Sequence, residues 1–513
     1  MQMLKRISTI LLAAALLLAA GCTRVGPDFQ QPEADVDNQW EAFESERIQP
    51  ELPQDIAWWG AFNDPVLDQL VDVAYAENLS LEVAGLRVLE ARAQLGFAAG
   101  TLYPQQQTFN GAAIYSDSGG SSSLWQYNMG LSVGWELDFW GRFRRGVESA
   151  DAALLASIAG YDSVLVLLLS QVVDTYIVIR ATEAQLDIAR ENVVLQRKSF
   201  DITDALSRNG EQSELDRQQA LTLLLGTEST IPGLQATLDQ TRNALSILLG
   251  RPPGDIKKLI GTTAVIPESP SEVGVGIPAD LLRRRPDVRQ AQLQAAAQSA
   301  LIGVAVADLY PSFALTGSLG LATSTATGSS SLFDSDSLQF TGGPAFSWQI
   351  LNYGRLKNNI RVQDARFQQT LVNFENTVLT AAREVEDAIA GYVRGLTQQE
   401  ILAQGVEAAK RSTELSMLRY QEGFSDYQRV LNAQQSLFAQ QQRYITAQSS
   451  TVRSLTALYK ALGGGWEIRG NRNFIDDATI ETMQERTDWG KLLDIETIEN
   501  PDKTDKVFPQ PDW

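Results

Sequence analysis

The chain has 513 residues, a formal net charge of −20, no histidine and a single cysteine, Cys22. The acidic balance disfavours nucleic-acid binding, which needs basic surface. Without histidine there is no Ser-His-Asp triad and no commonest zinc ligand, and one thiol makes neither an internal disulfide nor a thiolate cluster, leaving carboxylate or lysine chemistry, or none.

Lys5 and Arg6 open the chain, and an apolar run follows from Ile10 to Ala20. That run is too short to span a membrane and has the make-up of a secretory signal, assigned to residues 1–21. It ends at Ala19-Ala20-Gly21-Cys22, which resembles the bacterial lipoprotein box, with Ala19 where leucine is usual. The resemblance implies a covalent lipid on Cys22, and Thr23 after it implies sorting to the outer membrane. Nothing else in the chain reads as long and apolar enough to cross a membrane as a helix.

Residues 22–64 form an extension, and a helix is expected over Pro65–Gly100. It stops at Leu102-Tyr103-Pro104, because proline cannot continue a helix. A strand around Gln107–Ser116 alternates poorly. The next, from Trp125 to Phe139, alternates without a break. Trp125, Tyr127, Met129, Leu131, Val133, Trp135, Leu137 and Phe139 oppose a polar set that includes Gln126, Asn128, Ser132, Glu136 and Asp138. A long two-residue period with aromatics at both ends reads as a membrane β-strand. A very long helix follows, with Leu165, Val172, Ile179, Leu186, Val193 and Phe200 at seven-residue spacing, which predicts coiled-coil packing. Run continuously from Arg142 to Asn209, it would span roughly 100 Å. Gly210 then marks a tight turn into a shorter helix.

Residues 251–277 link this half to a second copy of it. Leu102-Tyr103-Pro104 recurs as Leu309-Tyr310-Pro311, Trp135 and Gly141-Arg142 as Trp348 and Gly354-Arg355, Gly210 as Gly423, and Leu249-Gly250 as Leu462-Gly463. The repeats are set at 65–250 and 278–465, with a helix expected over Pro278–Asp308 and strands through Phe313–Leu321 and Gln339–Ile350. Residues 466–513 form a polar, acidic tail with no clear period. Four strands cannot close a barrel, and lipid tolerates no open edge, so the barrel must be shared between subunits.

Several stretches together resemble the outer-membrane factors, the TolC-like family, and more closely its lipoprotein branch. They include WWGAFNDPVLDQLVDVAYAENLSL from Trp58, WELDFWGRFRR from Trp135, GIPADLLRRRPDV from Gly276, GPAFSWQILNYGRL from Gly343 and LYKALGGGW from Leu458. The resemblance implies an α+β membrane protein: a homotrimer with a twelve-stranded β-barrel, a long periplasmic α-helical barrel and an equatorial domain. It implies the exit duct of a tripartite efflux pump, not an enzyme and with no cofactor beyond the lipid. The expected partners are a periplasmic adaptor and an inner-membrane pump of the RND type. A type I secretion or metal-cation efflux duct is the alternative, and a periplasmic adaptor a lesser one. A carboxylate hydrolase using Glu136 and Asp138 is a further alternative.

The resemblance also implies a tube closed at its periplasmic tip, near the turns at Gly210 and Gly423. Asp216 and Tyr420 match a family pair whose link holds the tip shut. Ser425 replaces the arginine of a salt-bridge latch. Asn432, in VLNAQ, replaces a ring carboxylate, for which Asp426 is the candidate substitute.

Overall fold

The structure, a computed structural model, describes residues 24–33, 40, 47–49, 57–117, 119, 123–254, 256–261, 265–270, 273–275, 283–325, 331–470 and 472–493. Cys22 lies outside them, as do the signal and the end of the tail. The first repeat contains α1 (Pro65–Glu77), α2 (Leu79–Gly100), β1 (Gln106–Ser116), β2 (Leu124–Leu137), α3 (Arg142–Arg208), α4 (Glu214–Glu228) and α5 (Thr230–Leu248). The second contains α6 (Pro286–Ala307), β3 (Ser312–Ser324), β4 (Leu338–Ser347), α7 (Arg355–Gln421) and α8 (Tyr427–Ala461).

The helix expected over Pro65–Gly100 is two helices. Asn78 adopts extended backbone, and its side-chain oxygen accepts from Leu81 N at 2.8 Å, capping α2. Its amide donates to Leu248 O at 2.8 Å, so α5 fixes the break. The shorter helix of the first half is also interrupted, at Ser229, three residues before Pro232, which suits only a first helical turn. Its counterpart α8 runs unbroken. The tail read as aperiodic holds a helix, α9 (Asp477–Arg486), capped by Asp476 through Thr479 N.

The four strands form one antiparallel sheet in the order β1-β2-β3-β4. The poorly alternating first strand nevertheless pairs along its whole length, Gln106 with Gly134 through Ser116 with Leu124. The last strand ends at Ser347, short of the expected Ile350. Away from the sheet, Ile48–Gln49 pairs in parallel with Val273–Gly274, tying the N-terminal extension to the linker.

α3 and α7 are each 67 residues, about 100 Å at 1.5 Å per residue. The main core lies midway along them, where Leu165, Leu169, Val172, Val173, Ile177 and Ile179 are buried with Leu67, Leu70, Val71, Ile389, Tyr392 and Leu455. α3 does contain an 18-residue window apolar enough to cross a membrane, but 56% of it is buried inside the protein. Toward the tip the buried stripe drifts from Leu186 to Asn192, Gln196, Ser199 and Thr203 and becomes polar. A 3.6-residue helix departs in this way from a 3.5-residue repeat.

Candidate functional site

Three features along the molecule concern passage through a membrane: the faces of the sheet, the N-terminal segment, and the helix tip. Met129, Leu131 and Trp135 of β2 stand opposite Leu321, Leu319 and Leu315 of β3, which in turn oppose Leu338, Phe340 and Pro344 of β4. The apolar residues therefore share one face, and Asn128, Ser132, Thr316, Ser318 and Thr341 the other. Aromatic clusters bound the apolar face. Tyr115, Trp125 and Tyr127 lie in sequence with centroids 5.2 and 5.9 Å apart, and Phe139, Phe313 and Phe346 with centroids 5.0 and 6.5 Å apart. Strands of 10–14 residues with such girdles fit a tilted crossing of a bilayer.

Glu136 and Asp138 do not form a paired acid. β2 ends at Leu137, and Asp138 accepts from the backbone N–H groups of Phe143 and Arg144 at 3.1 and 3.0 Å, capping α3. A third bond, accepted from Arg144 Nε at 3.0 Å, pairs its charge, while Glu136 faces Arg142 at 3.5 Å. Among the described residues no group of His, Cys, Asp and Glu could hold a metal ion.

At the base of the sheet the N-terminal segment is strapped down. Val25 N donates to Trp140 O at 3.1 Å. Arg145, 1% exposed, donates to Val25 O, Gly26 O and Asp28 at 3.2, 3.3 and 2.8 Å, and to Glu148 at 2.9 Å. Gly26 crosses Gly303 so closely that a Cβ would stand 2.4 Å from its Cα. Sequence reading missed Arg145, although WGRFRR drew attention to the turn beside it.

At the tip, Gly210 and Gly423 have φ of 76° and 78°, which L side chains avoid. Each closes its long helix with the same pair of bonds: Glu211 N to Leu206 O with Gly210 N to Ser207 O, and Phe424 N to Arg419 O with Gly423 N to Tyr420 O. Asp216 does not bond to Tyr420. Its carboxylate accepts from Ser213 Oγ at 2.8 Å, and its N–H donates to the same oxygen, so Ser213 is the N-cap of α4. Tyr420 is buried edge-on to Tyr427 at 5.4 Å. Burial raises the Tyr420 hydroxyl pKa, and the Asp216 charge adds to the rise.

The cross-links at the tip are ones that sequence reading did not single out. Arg217 Nε meets Asp204 at 2.6 Å, joining α4 to α3, and the Tyr427 hydroxyl meets Ser199 Oγ at 3.2 Å, joining α8 to α3. Asp426 is exposed, 3.8 Å from Arg429, and exposed Asn432 accepts from Gln428 at 2.9 Å.

Comparison with known proteins decides the family. The profile described as outer membrane efflux protein matches residues 70–251 and 277–464. The chain belongs to the outer membrane efflux protein family. Among relatives of this efflux protein, the solvent efflux pump outer membrane protein SrpC of Pseudomonas putida is 33% identical over 473 residues, 89% of this chain and 98% of SrpC. The probable outer membrane lipoprotein SilC of Salmonella typhimurium is 31% identical, over 89% and 98% of the two chains. Of solved structures, the outer-membrane channel OprN superposes with a TM-score of 0.81 at 30% identity, over 86% of this chain and all of OprN. CusC, whose structure concerns transmembrane channel formation, gives 0.74 at 28%, over 86% and 100%. The efflux protein thus has the trimeric channel fold, four strands per chain and twelve in the barrel, and resides in the outer membrane.

Proposed function

We propose that three copies of this chain form the passive exit duct of a tripartite efflux pump, fed by a periplasmic adaptor and an inner-membrane pump of the RND type. The observation that carries the reading is the continuity of one membrane sheet, apolar outside and polar inside, with helices about 100 Å long. A sheet alone would make a pore; the helices give it reach across a second compartment. The names of relatives add a cargo class. Several relatives are named for solvent, toluene and antibiotic efflux, which favours small organic molecules chosen by the pump.

Cys22 is the proposed lipid anchor. Two residues, Thr23 and Arg24, separate it in sequence from Val25, whose N–H is bonded at the sheet base. An acyl chain there meets the leaflet on the helix side of the barrel. Asp216 and Tyr420 are proposed to belong to the aperture together with Arg217, Asp204 and Tyr427. Gly210 and Gly423 shape its turns, and exposed Asp426 and Asn432 flank it.

The test is reconstitution of the purified chain in planar bilayers, with labelled fatty acid followed in cells. The expected outcome is a trimer with single-channel conductance, which rises in Arg217→Ala as the tip loosens, and lipid label that disappears in Cys22→Ser. A trimer without conductance in either form would sink the duct, and label persisting in Cys22→Ser would sink the anchor.

A further inference from the structure

The sheet has two open edges, β1 and β4, and the duplication supplies a template for how they meet. Within the chain the halves join along β2 and β3, where Val133 pairs with Gly317, Ser132 with Ser318 and Trp135 with Leu315. β2 recurs as β4, Trp135 becoming Trp348, 213 residues later. The hairpins fix the offset of the other strand. Gln107 pairs with Val133, and Phe313 pairs with Phe346, the counterpart of Val133; Phe313 is therefore the counterpart of Gln107, 206 residues later. That offset is one short of the 207 separating Tyr103 from Tyr310, a slip absorbed between the Tyr-Pro and the strand.

We propose that β4 of one copy pairs antiparallel with β1 of the next in the register of the β2–β3 contact. This puts Phe346 opposite Gly111, Ala345 opposite Ala112, Trp348 opposite Phe109, and Gly343 opposite Ile114 of the partner subunit. The proposal rests on the trimeric barrel and adds to it the residues at its seams.

Four observations favour this register. It joins apolar face to apolar face, since Phe346 shares a face with Phe313, and Gly111 with Met129; a slip of one residue would join apolar to polar. It makes an aromatic pair of Phe109 and Trp348, which are 68% and 54% exposed in the single chain. It gives Ile114 room, because a Cβ on Gly343 would meet nothing within 4 Å. Below the sheet, Trp140 stacks on Tyr310 with centroids 4.6 Å apart. The counterpart of Trp140 is Tyr353, 98% exposed, and the template sets it on Tyr103 of the next copy.

Paired cysteines test the register in the full chain. Within one copy β1 and β4 are three strand spacings apart, about 14 Å, too far for a disulfide. Ala345→Cys with Ala112→Cys is expected to give covalent trimers on oxidation. The yield should be on the order of tenfold above either single variant and above Ala345→Cys with Asn110→Cys or Ile114→Cys, which probe slips of two. Equal or better yield in a slipped pair overturns the register. Amine cross-linking reports assembly separately, in the unaltered chain and in the variants, so a 345/112 variant that assembles yet gives no covalent trimer on oxidation overturns the register and leaves the channel standing. If that pair does not assemble, Tyr353→Cys with Tyr103→Cys and a short bis-maleimide replaces it. Trimer cross-linking there supports the seam, and its absence in an assembled trimer overturns it.

Discussion

Asp162 lies on α3, 95% enclosed, with its carboxylate 2.9 Å from Nε of Arg469. Burial pushes its pKa up to about 6 against the pull of Arg469. The folded carboxyl therefore holds its proton more tightly than the unfolded one, whose value is near the ordinary 3.8. Through the window between these values the folded state binds the excess proton, so acidification adds stability, and that increment is lost as pH rises through about 6. Asp162→Asn is expected to remove this part of the pH dependence. The check is the melting midpoint of the detergent-solubilised trimer at pH 4.5 minus that at pH 7, which should be smaller in the variant than in the wild type. An identical difference in both proteins would show that the buried carboxyl is not linked to folding.

Helix ends and helix seams divide the next scale. Gly250 ends α5 with the bonding pattern seen at the tip, Arg251 N to Ser246 O and Gly250 N to Ile247 O, but in a different setting. A Cβ on Gly250 would stand 2.0 Å from Glu77 O, whereas one on Gly210 would meet nothing within 4 Å. Gly210→Ala should thus cost only the backbone term, about 1–2 kcal/mol, seen as faster amide exchange confined to the tip. Gly250→Ala adds a backbone clash and should lower the melting midpoint of the whole protomer. The polar seam carries a second expectation. Gln196 and Gln434 are buried, and their amide groups have no hydrogen-bond partner among the described residues. Gln434→Leu should stabilise the tip half by roughly 1–3 kcal/mol and lower the open probability in bilayers; unchanged gating would detach the seam from opening.

The strand faces were legible because every second residue from Trp125 is apolar, and a period of two has few other causes. The helix breaks were not. Asn78 looks like any polar residue in a helical run until its amide finds Leu248, 170 residues away. At the tip, Ser213 three residues before Asp216 is the spacing of an N-cap serine with a polar N3 partner, and the structure shows that bond where the expected one to Tyr420 is not formed. Tyr427 and Ser199 are 228 residues apart and carry no local signature.

On the scale of the whole molecule, the protomer is half of several things. Its helices are buried along one side and bare along the other: Val362, Val372 and Leu379 of α7 are 46%, 52% and 62% exposed, as is Phe97 of α2 at 81%. Its sheet has one face for lipid and one for water but no closure of its own. A hydrocarbon interior leaves unpaired N–H and C=O groups unsatisfied, so a lone chain has no stable place in the bilayer. Insertion and assembly are one event.

The two bare strand edges therefore carry a genetic consequence. Each ring needs three sound edges of each kind, and one faulty chain breaks the circle for its two intact neighbours. In a cell making normal chains and chains with a spoiled β1 edge in equal amounts, random mixing leaves about one ring in eight free of defects. Export should then fall toward an eighth, not a half, and the lesion would behave as dominant.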